Sequence, residues 1–323
     1  MLSYACRRAA ASLLLLYLVL TATFFLVHVA PGEPGVLFEN PHISAEQRQK
    51  MRSTLGLDRP VGEQYVRWFG AALRGEWGYS IQLRRPAFGV LWERLPATAV
   101  LVFAGVFVEH LLGLTLGIWA GRRPGGRVDR ATRWFAMVAW ATPGFVIGIL
   151  MIEVFAVRLG LFPPQQMSSD GARNLPFWGR TLDLLHHLAL PALTLGLIRA
   201  GVVIRFVRNG LLEVLGKDFV RTARAKGLSP RRILWVHALP NAVGPLIQRL
   251  GVSLPLLLSG SLVLEVVFSW PGLGTAVFSA VLQRDYPVIL AATAFSATLV
   301  VLGSLAADLA HAWLDPRVRD RLG

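Results

Sequence analysis

The sequence contains little cysteine and little charge. Cys6 is the single cysteine among 323 residues, which excludes an internal disulfide, and no Cys/His cluster has the spacing of a structural zinc site. Only 16% of the residues are charged, whereas 54% are hydrophobic. An ordinary soluble core does not bury so large an apolar fraction, so the composition indicates a polytopic protein in contact with membrane lipid.

Acidic residues are scarce relative to basic ones, with 19 Asp and Glu against 33 Lys and Arg and a net charge of +14. In a soluble protein this excess would suggest a nucleic-acid partner. Here the arginines lie mostly beside apolar segments and seldom form runs. We therefore expect no nucleic-acid binding.

Long apolar segments dominate the chain, and a helix needs about 20 apolar residues to cross roughly 30 Å of hydrocarbon. The first such segment could be a signal peptide, but its apolar run is longer than a typical h-region and no A-x-A site precedes Pro31. Thr142-Pro143-Gly144 predicts a kink in the third segment. We predict six transmembrane helices, at 9–30, 97–120, 134–157, 188–207, 241–263 and 287–313.

The distribution of Lys and Arg predicts the orientation, because positive residues in short loops stay in the cytoplasm. Loop 121–133 holds five and 205–232 holds eight, against three in 158–187 and one in 264–286. The expected fold is an all-α polytopic membrane protein with both termini cytoplasmic. The Arg-rich segment 31–96 is long enough to escape the rule, so we interpret it as an extracytoplasmic insert after the first helix.

The predicted organisation has four parts. Residues 1–30 form the N-terminal transmembrane helix and 31–96 the insert, in which 44–55 and 62–73 have amphipathic helical patterns. An apolar stripe within the second pattern is expected to pack on the membrane domain; it comprises Tyr65, Phe69 and Leu73. The membrane domain covers 97–315, and 316–323 form a cytoplasmic tail.

The segment 211–240, between the fourth and fifth predicted spans, reads as two helices joined by a tight turn. Gly227 suits the left-handed residue that ends a helix, Ser229 suits the cap of the next helix, and Pro230 suits its first turn. Pairs Glu213–Lys217 and Asp218–Arg221 have favourable helical spacing. The first helix is predicted to have one apolar face, formed by Leu212, Leu215, Phe219 and Ala223.

Small residues near this turn, Ala223, Ala225 and Gly227, would let the backbone of another protein approach closely. We therefore interpret the segment as a docking element. The alternative is an amphipathic helix resting on the lipid headgroups, but such a helix has no need of a sharp reversal.

The run from Asp218 to Ser229, with Ile233 and Leu239-Pro240 after it, resembles the cytoplasmic signature of the permease subunits of ATP-binding-cassette importers. Arg221 and Thr222 stand where the general signature has Glu and Ala, a departure similar to that of the dipeptide, oligopeptide and nickel branch. Further segments resemble that branch's insert and outer turn, namely Leu55–Pro60, Gly75–Ser80, Glu93–Thr98 and Phe268–Gly274.

This resemblance implies an importer subunit in the plasma (inner) membrane of a bacterium or archaeon. The implied partners are a second permease subunit in a heterodimer, two cytoplasmic ATPase subunits that bind ATP and Mg, and an extracytoplasmic solute-binding protein. The implied substrate is a dipeptide or oligopeptide, with nickel as the alternative. The implied ATPase-coupling residues are Glu213, Asp218, Arg221, Ala223, Ala225, Gly227, Leu228 and Ser229.

Catalytic residues and a cofactor on this chain are not expected. The stretch from Gly210 to Lys217 approaches a phosphate-binding loop, but it has five residues between the glycines instead of four, and Asp218 replaces the required Ser or Thr. ATP hydrolysis is therefore expected on another chain. His186 and His187 face apart on a helix, so we predict no metal site.

Charged residues inside spans cost about 3 kcal/mol each at mid-bilayer, so each needs an explanation. Glu109 and Arg199 either line the substrate path or pair inside the helix bundle, and Glu153, near the end of its span, is interpreted as structural. An outer gate is predicted after the fifth span. Its residues are Glu265, Trp270, Pro271, Gly272 and Gly274, where the alternative is an interfacial Trp beside an ordinary turn.

Two functions from other classes stay open from the residues alone. A secondary transporter or channel would work without an ATPase and would favour internal repeats, none of which is clear here. A membrane-anchored scaffold or receptor would carry no transport at all.

Overall fold

The computed structural model of the protein describes residues 2–30, 44–54, 56–244, 246 and 261–314. These residues are mostly helical and contain no β-strand, as predicted. Four helices are long and apolar enough to cross a membrane, and a bent pair of helices provides a fifth crossing if it is counted as one. The predicted fifth span, 241–263, lies largely outside the described residues, as does the tail 316–323.

The chain divides into two compact units. The first runs to Ala97 and resumes at Gly272, and the second runs from Thr98 to Pro271. The helices of the first unit are α1 (Leu2–Val29), α2 (Ala45–Thr54), α3 (Val61–Leu73), the first turns of α4 (Ala87–Arg122), α11 (Leu273–Leu282) and α12 (Tyr286–Leu314).

In the first unit, α1 packs against both α3 and α12. The apolar stripe of α3 packs on α1, the N-terminal transmembrane helix, and not on the domain 97–315 for which it was expected. The Tyr65 hydroxyl hydrogen-bonds with Thr21 Oγ1 at 2.8 Å and the Phe69 ring lies 5.5 Å from that of Tyr17. Leu73, the last residue of the stripe, is exposed. The end of α1 meets the beginning of α12, so these two helices run in opposite directions.

The buried carboxylate of Asp285 connects the loop after α3 to the start of α12. It accepts hydrogen bonds from Ser80 Oγ at 2.5 Å, from the Ile81 amide at 3.1 Å and from the Gln82 amide at 3.3 Å. Ser80 Oγ in turn accepts from the Leu83 amide at 2.8 Å. Three donors therefore satisfy a charge that is 3% exposed.

The described part of the second unit contains the remainder of α4 and several further elements. They are α5 (Arg127–Ala141), α6 (Gly144–Met151) continued by a π-helical stretch (Ile152–Arg158), a 3-10 turn (Ala172–Asn174), α7 (Phe177–Leu215), α8 (Asp218–Ala225), α9 (Pro230–Arg232) continued by a π-helical stretch (Ile233–Ala238), and α10 (Leu262–Val267).

In the structure, the predicted kink in the third span is a sharp bend between two separate helices. Helices α5 and α6 meet at an angle of 106° around Thr142-Pro143. Thr142 has φ −89° and ψ 128°, because the ring of a following proline disfavours helical backbone in the residue before it. The third predicted span is thus two helices and not one bent helix.

Two other spans lie within helices longer than predicted. The segment 97–120 is part of α4, which begins at Ala87 and includes Pro96, and 188–207 is part of the 39-residue α7. Prolines and charged residues marked the predicted ends, yet the helices continue through them. At the start of α4 and the end of α7 the extra turns are packed, with Leu91 and Leu211 fully buried, and this packing stabilises them. The first span lies within α1, and most of the sixth lies within α12.

Glycines of α4 allow α7 to approach closely along most of its length. A Cβ atom at Gly113 would lie 2.3 Å from Val203 Cγ1, a distance that real atoms do not reach. The matching residues follow the same order and spacing on both helices, so α4 and α7 run parallel. Small residues allow such close approach of helix backbones in membranes. The pairs are Gly105 with Leu195, Gly113 with Val203, Gly117 with Val207 and Gly121 with Leu211.

Candidate functional site

The segment 211–240 begins inside α7, and its first helix is broken where the sequence predicted continuity. Helix α7 ends at Leu215, and Lys217 is extended, with φ −74° and ψ 154°, before α8 begins. This break shifts the register of the apolar face. Phe219, predicted to be on that face, is 43% exposed, and Val220 is fully buried instead.

The turn after α8 has the predicted chemistry. Gly227 has φ +76°, the left-handed conformation that glycine adopts without strain, and its amide donates to Arg224 O at 2.9 Å. The Leu228 amide donates to Ala223 O at 3.2 Å. Ser229 then caps α9, because its Oγ accepts a hydrogen bond from the Arg232 amide at 3.4 Å. The predicted reversal between two helices is confirmed.

We call residues 218–229, which comprise α8 and this turn, the docking segment. One side of it is buried. Val220 and Ala223 belong to a continuous apolar cluster that includes residues from α4, from α7 and from the stretch after α9, namely Ile118, Val203, Val207, Leu211, Val214, Ile233 and Leu234. The docking segment is therefore packed directly on the ends of two long apolar helices.

The other side of the docking segment is exposed. The side chains of Asp218 and Arg221 are 92% and 74% exposed and form an ion pair of 3.1 Å. Ala225 and Gly227 are also exposed, and no atom lies within 4 Å of the position that a Gly227 Cβ would take. Ala223 was predicted both on the apolar face and among these small residues, and the structure places it on the apolar face alone.

Two ion pairs lie next to the docking segment. The sequence pattern predicted one of them. The predicted Glu213–Lys217 pair forms across the helix break at 2.9 Å. The other joins α7 to α5: Arg208 Nε donates to Asp129 Oδ1 at 2.5 Å and its Nη2 donates to Oδ2 at 3.0 Å. Asp129 is fully buried and also accepts from the Gly125 amide at 2.8 Å.

The predicted outer gate residues include two fully buried side chains, Glu265 and Trp270. The Glu265 carboxylate accepts from Thr98 Oγ1 at 2.8 Å and from Ser261 Oγ at 3.0 Å. The Trp270 amide donates to Glu265 O at 2.7 Å. Because Trp270 is buried within its own chain, it is not an exposed interfacial Trp.

The remaining predicted gate residues follow Trp270 along the chain. Pro271 leads into the turn and Gly272 precedes the first residue of α11, in which Gly274 is buried. Gly272 has φ −97°, a value that any residue adopts, so the backbone freedom predicted for it is not used in this conformation.

The in-span charges of the second unit are paired. Arg199 Nε donates to Glu109 Oε2 at 3.2 Å, and Glu109 is 4% exposed. The pair borders a cavity of about 230 Å³, together with His110 and Trp140. Glu153, interpreted as structural, forms an exposed pair with Arg158 at 2.9 Å.

The adjacent histidines each contact a backbone carbonyl. His186 Nε2 lies 2.8 Å from Leu161 O, and His187 Nδ1 lies 2.9 Å from Asp183 O. Within the described ranges, no group of three or more His, Cys, Asp or Glu residues is placed to hold a metal ion.

Comparison with protein families identifies the chain. Residues 113–320 match the family described as binding-protein-dependent transport system inner membrane component, and residues 1–102 match the corresponding N-terminal family. The chain belongs to this family. The resemblance found in the docking segment and in the insert is thereby confirmed over nearly the whole sequence.

Relatives of this family member are permease proteins. The oligopeptide transport system permease protein AppB of Bacillus subtilis is 35% identical over 319 residues, which cover 98% of this chain and 99% of AppB. The dipeptide transport system permease protein DppB of Escherichia coli K12 is 33% identical over 316 residues, which cover 93% of each chain.

Solved structures show a similar fold at lower identity. A chain of the MetNI methionine ABC transporter in an inward-facing conformation is 20% identical with a TM-score of 0.50, covering 74% of this chain and 98% of that one. A chain of an amino acid ABC transporter is 16% identical with a TM-score of 0.51, covering 68% and 92%. The family member therefore has the fold of these transporter chains.

Proposed function

We propose that the chain is the transmembrane permease subunit of an ATP-driven importer of dipeptides or oligopeptides. Support comes from the family and from the printed names of its relatives, which are oligopeptide and dipeptide permeases. Two cytoplasmic ATPase subunits hold ATP and Mg and hydrolyse the nucleotide. A second, different permease subunit completes the path, and a solute-binding protein delivers the peptide from outside the inner membrane.

The proposed topology keeps six spans with both termini in the cytoplasm and 31–96 outside. Two packing relationships support it. Helices α4 and α7 run parallel, as the second and fourth spans of such a topology must, and α1 and α12 run in opposite directions, as the first and sixth must. This arrangement puts the docking segment, after α7, in the cytoplasm.

The observation that carries the coupling mechanism is the two-sided character of the docking segment. Its exposed side, with Asp218, Arg221, Ala225 and Gly227, is available to an ATPase, while its buried side is continuous with the apolar cluster on α4 and α7. A partner that moves between two states must contact the permease differently in each, and this segment transmits the difference to the spans.

The element that transmits this motion is shorter than the first helix expected from the sequence, whose apolar face was predicted to run without a break from Leu212 to Ala223. Because α7 ends at Leu215, the moving element is α8 with its turn. The Glu213–Lys217 pair bridges the break and limits how far α8 swings from the axis of α7.

We also propose that Glu265 and Trp270 belong to the outer gate. Their full burial and their mutual backbone hydrogen bond support a closed, rigid turn in this conformation. Opening the gate would then require the Glu265 carboxylate to exchange its hydroxyl donors from Thr98 and Ser261 for water or other partners.

The coupling proposal is tested by comparing Gly227→Trp with Gly125→Trp. Both glycines have φ near +77° and open space around the missing Cβ, so the two variants share the same backbone strain. Only Gly227 lies in the docking segment. We expect Gly227→Trp to abolish ATP-dependent peptide uptake into vesicles and Gly125→Trp to retain most of it, with equal membrane insertion of both.

Equal uptake by the two variants would contradict the docking role. Uptake by the wild-type chain in vesicles without ATP would instead identify a secondary transporter or channel. Failure of the purified chain to retain ATPase subunits, with no uptake under any condition, would identify a scaffold or receptor.

A further inference from the structure

The first unit contains a cavity of about 500 Å³ that the proposed function does not use. Small-molecule sites in proteins commonly measure about 300 to 1,000 Å³, so this one has the size of a ligand site. Residues of α1, α3 and α12 and of the loop after α3 line it. They include Phe24, His28, Trp68, Trp77, Tyr79 and Tyr286.

One wall of the cavity is a continuous series of aromatic rings. The Trp68 and Phe24 rings stack with centroids 5.2 Å apart, the Phe24 and His28 rings stack at 4.0 Å, and the His28 and Tyr286 rings lie 5.3 Å apart. His28 Nδ1 also lies 2.7 Å from Phe24 O, which fixes the imidazole. The wall is therefore pre-formed for an apolar or aromatic group.

Trp68 contributes its ring to this wall and not its N–H group. The Nε1 atom is buried out of reach of a molecule in the cavity, and the part of the chain that the structure describes offers it no acceptor.

The lining carries positive and no negative charge among the described residues. Arg59 and Arg67 line the cavity. Both pair with the same oxygen of Glu63, at 3.1 Å and 2.9 Å, and Glu63 itself is not part of the lining. One carboxylate thus neutralises two guanidinium groups, which leaves an excess positive charge for an anion.

We propose that this cavity binds a small amphipathic carboxylate. Its apolar side chain packs on the wall formed by Trp68, Phe24 and His28, and its carboxylate faces Arg59 and Arg67. The same chemistry occurs at the C-terminus of a short peptide that ends in an apolar residue and on a fatty acid. The inference does not depend on the proposed function, because it rests on the lining alone.

The site is tested with the full-length chain in lipid nanodiscs and N-acetyl-L-phenylalanine as the probe, by equilibrium dialysis. Saturable binding is expected. Arg59→Gln removes one of the two guanidinium groups that face the carboxylate, and it should weaken binding about fivefold, since a partly exposed charge pair is lost. Arg173→Gln, at an exposed arginine of the other unit, should leave binding unchanged.

A second variant is expected to act in the opposite direction. Glu63→Gln removes the carboxylate that neutralises Arg59 and Arg67 and should tighten binding of the probe, an effect that a general loss of folding cannot produce. Thermal unfolding of each variant shows that it is folded. No saturable binding to wild type, or unchanged binding in either Arg59→Gln or Glu63→Gln, would overturn the proposal.

Two further probes define the ligand. N-acetyl-L-phenylalaninamide lacks the negative charge and should bind more weakly, and binding as tight as that of the carboxylate would overturn the assignment of an anion. Decanoate tests the acyl source: if it binds more tightly than N-acetyl-L-phenylalanine and is weakened by Arg59→Gln, the carboxylate site is supported and a fatty acid is its ligand.

Discussion

Ser80 Oγ donates a 2.5 Å hydrogen bond to Asp285 Oδ2, which joins two residues separated by 205 positions. The loop that contains Ser80 is thereby fixed to the start of α12. The amides of Ile81 and Gln82 point to the same carboxylate, so a single side chain satisfies three donors.

Replacing this carboxylate should destabilise the protein. Asp285→Ala leaves a hydroxyl and two amides without their acceptor, and we expect a loss of about 1 to 3 kcal/mol in the free energy of unfolding for each buried group left unpaired. Thermal unfolding in detergent measures the effect. Asp58→Ala, at an exposed aspartate of the same unit, is the control and should change stability by less than about 0.5 kcal/mol.

Disrupting the buried pair of Asp129 and Arg208 should destabilise the protein more than removing Arg133, the exposed cation beside it. Asp129→Ala or Arg208→Gln leaves one buried charge uncompensated and should cost about 3 to 5 kcal/mol. Arg133 lies 3.6 Å from the same carboxylate but is half exposed, so Arg133→Gln should cost about 1 kcal/mol or less. Similar losses for Arg208→Gln and Arg133→Gln would refute the distinction.

The close approach of α4 and α7 makes Gly113 intolerant of any side chain. Gly113→Ala places a Cβ within 2.4 Å of both Val203 Cβ and Cγ1, so the helices must separate, at a cost of about 1 to 3 kcal/mol. Gly70, inside α3, has open space at the same position. Gly70→Ala should therefore be neutral or stabilise by up to about 1 kcal/mol, so only Gly113→Ala should lower the unfolding temperature.

The Glu109–Arg199 pair can be tested for the two roles that the sequence left open. If it is a bundle contact, Glu109→Gln and Arg199→Gln each lower the folded yield, and the exchange Glu109→Arg with Arg199→Glu restores it. If the pair instead lines the substrate path, the exchanged protein folds but its relative uptake of acidic and basic peptides is reversed. Folded yield and uptake, measured on the same preparations, separate these outcomes.

Local chemistry was sufficient to predict the turn of the docking segment. Gly227, Ser229 and Pro230 specify that turn within four residues, so no distant contact is needed. The break at Gly216 was missed because the pattern of Leu212, Leu215 and Phe219 is also that of a continuous helix, and only packing against the apolar cluster selects Val220 as the buried residue.

Long-range partners were outside the reach of the sequence pattern. Asp129 and Arg208 lie 79 residues apart, and nothing in the basic loop around Asp129 indicates that its partner lies in α7. The full burial of Glu265 depends likewise on Thr98, 167 residues away. The ends of α4 and α7 were misplaced for a related reason, since neighbouring helices stabilise turns whose own composition is that of a loop.

The contact between α4 and α7 has a mechanical consequence. Where a glycine meets the side chain of Val203 or Val207, no flexible atoms lie between the two backbones to absorb a displacement. If one helix slid along the other, Val203 or Val207 would have to leave the space beside its glycine and pass the larger side chain next to it. A displacement of the end of α7 is therefore expected to move α4 with it, so that the two helices move as one rigid body.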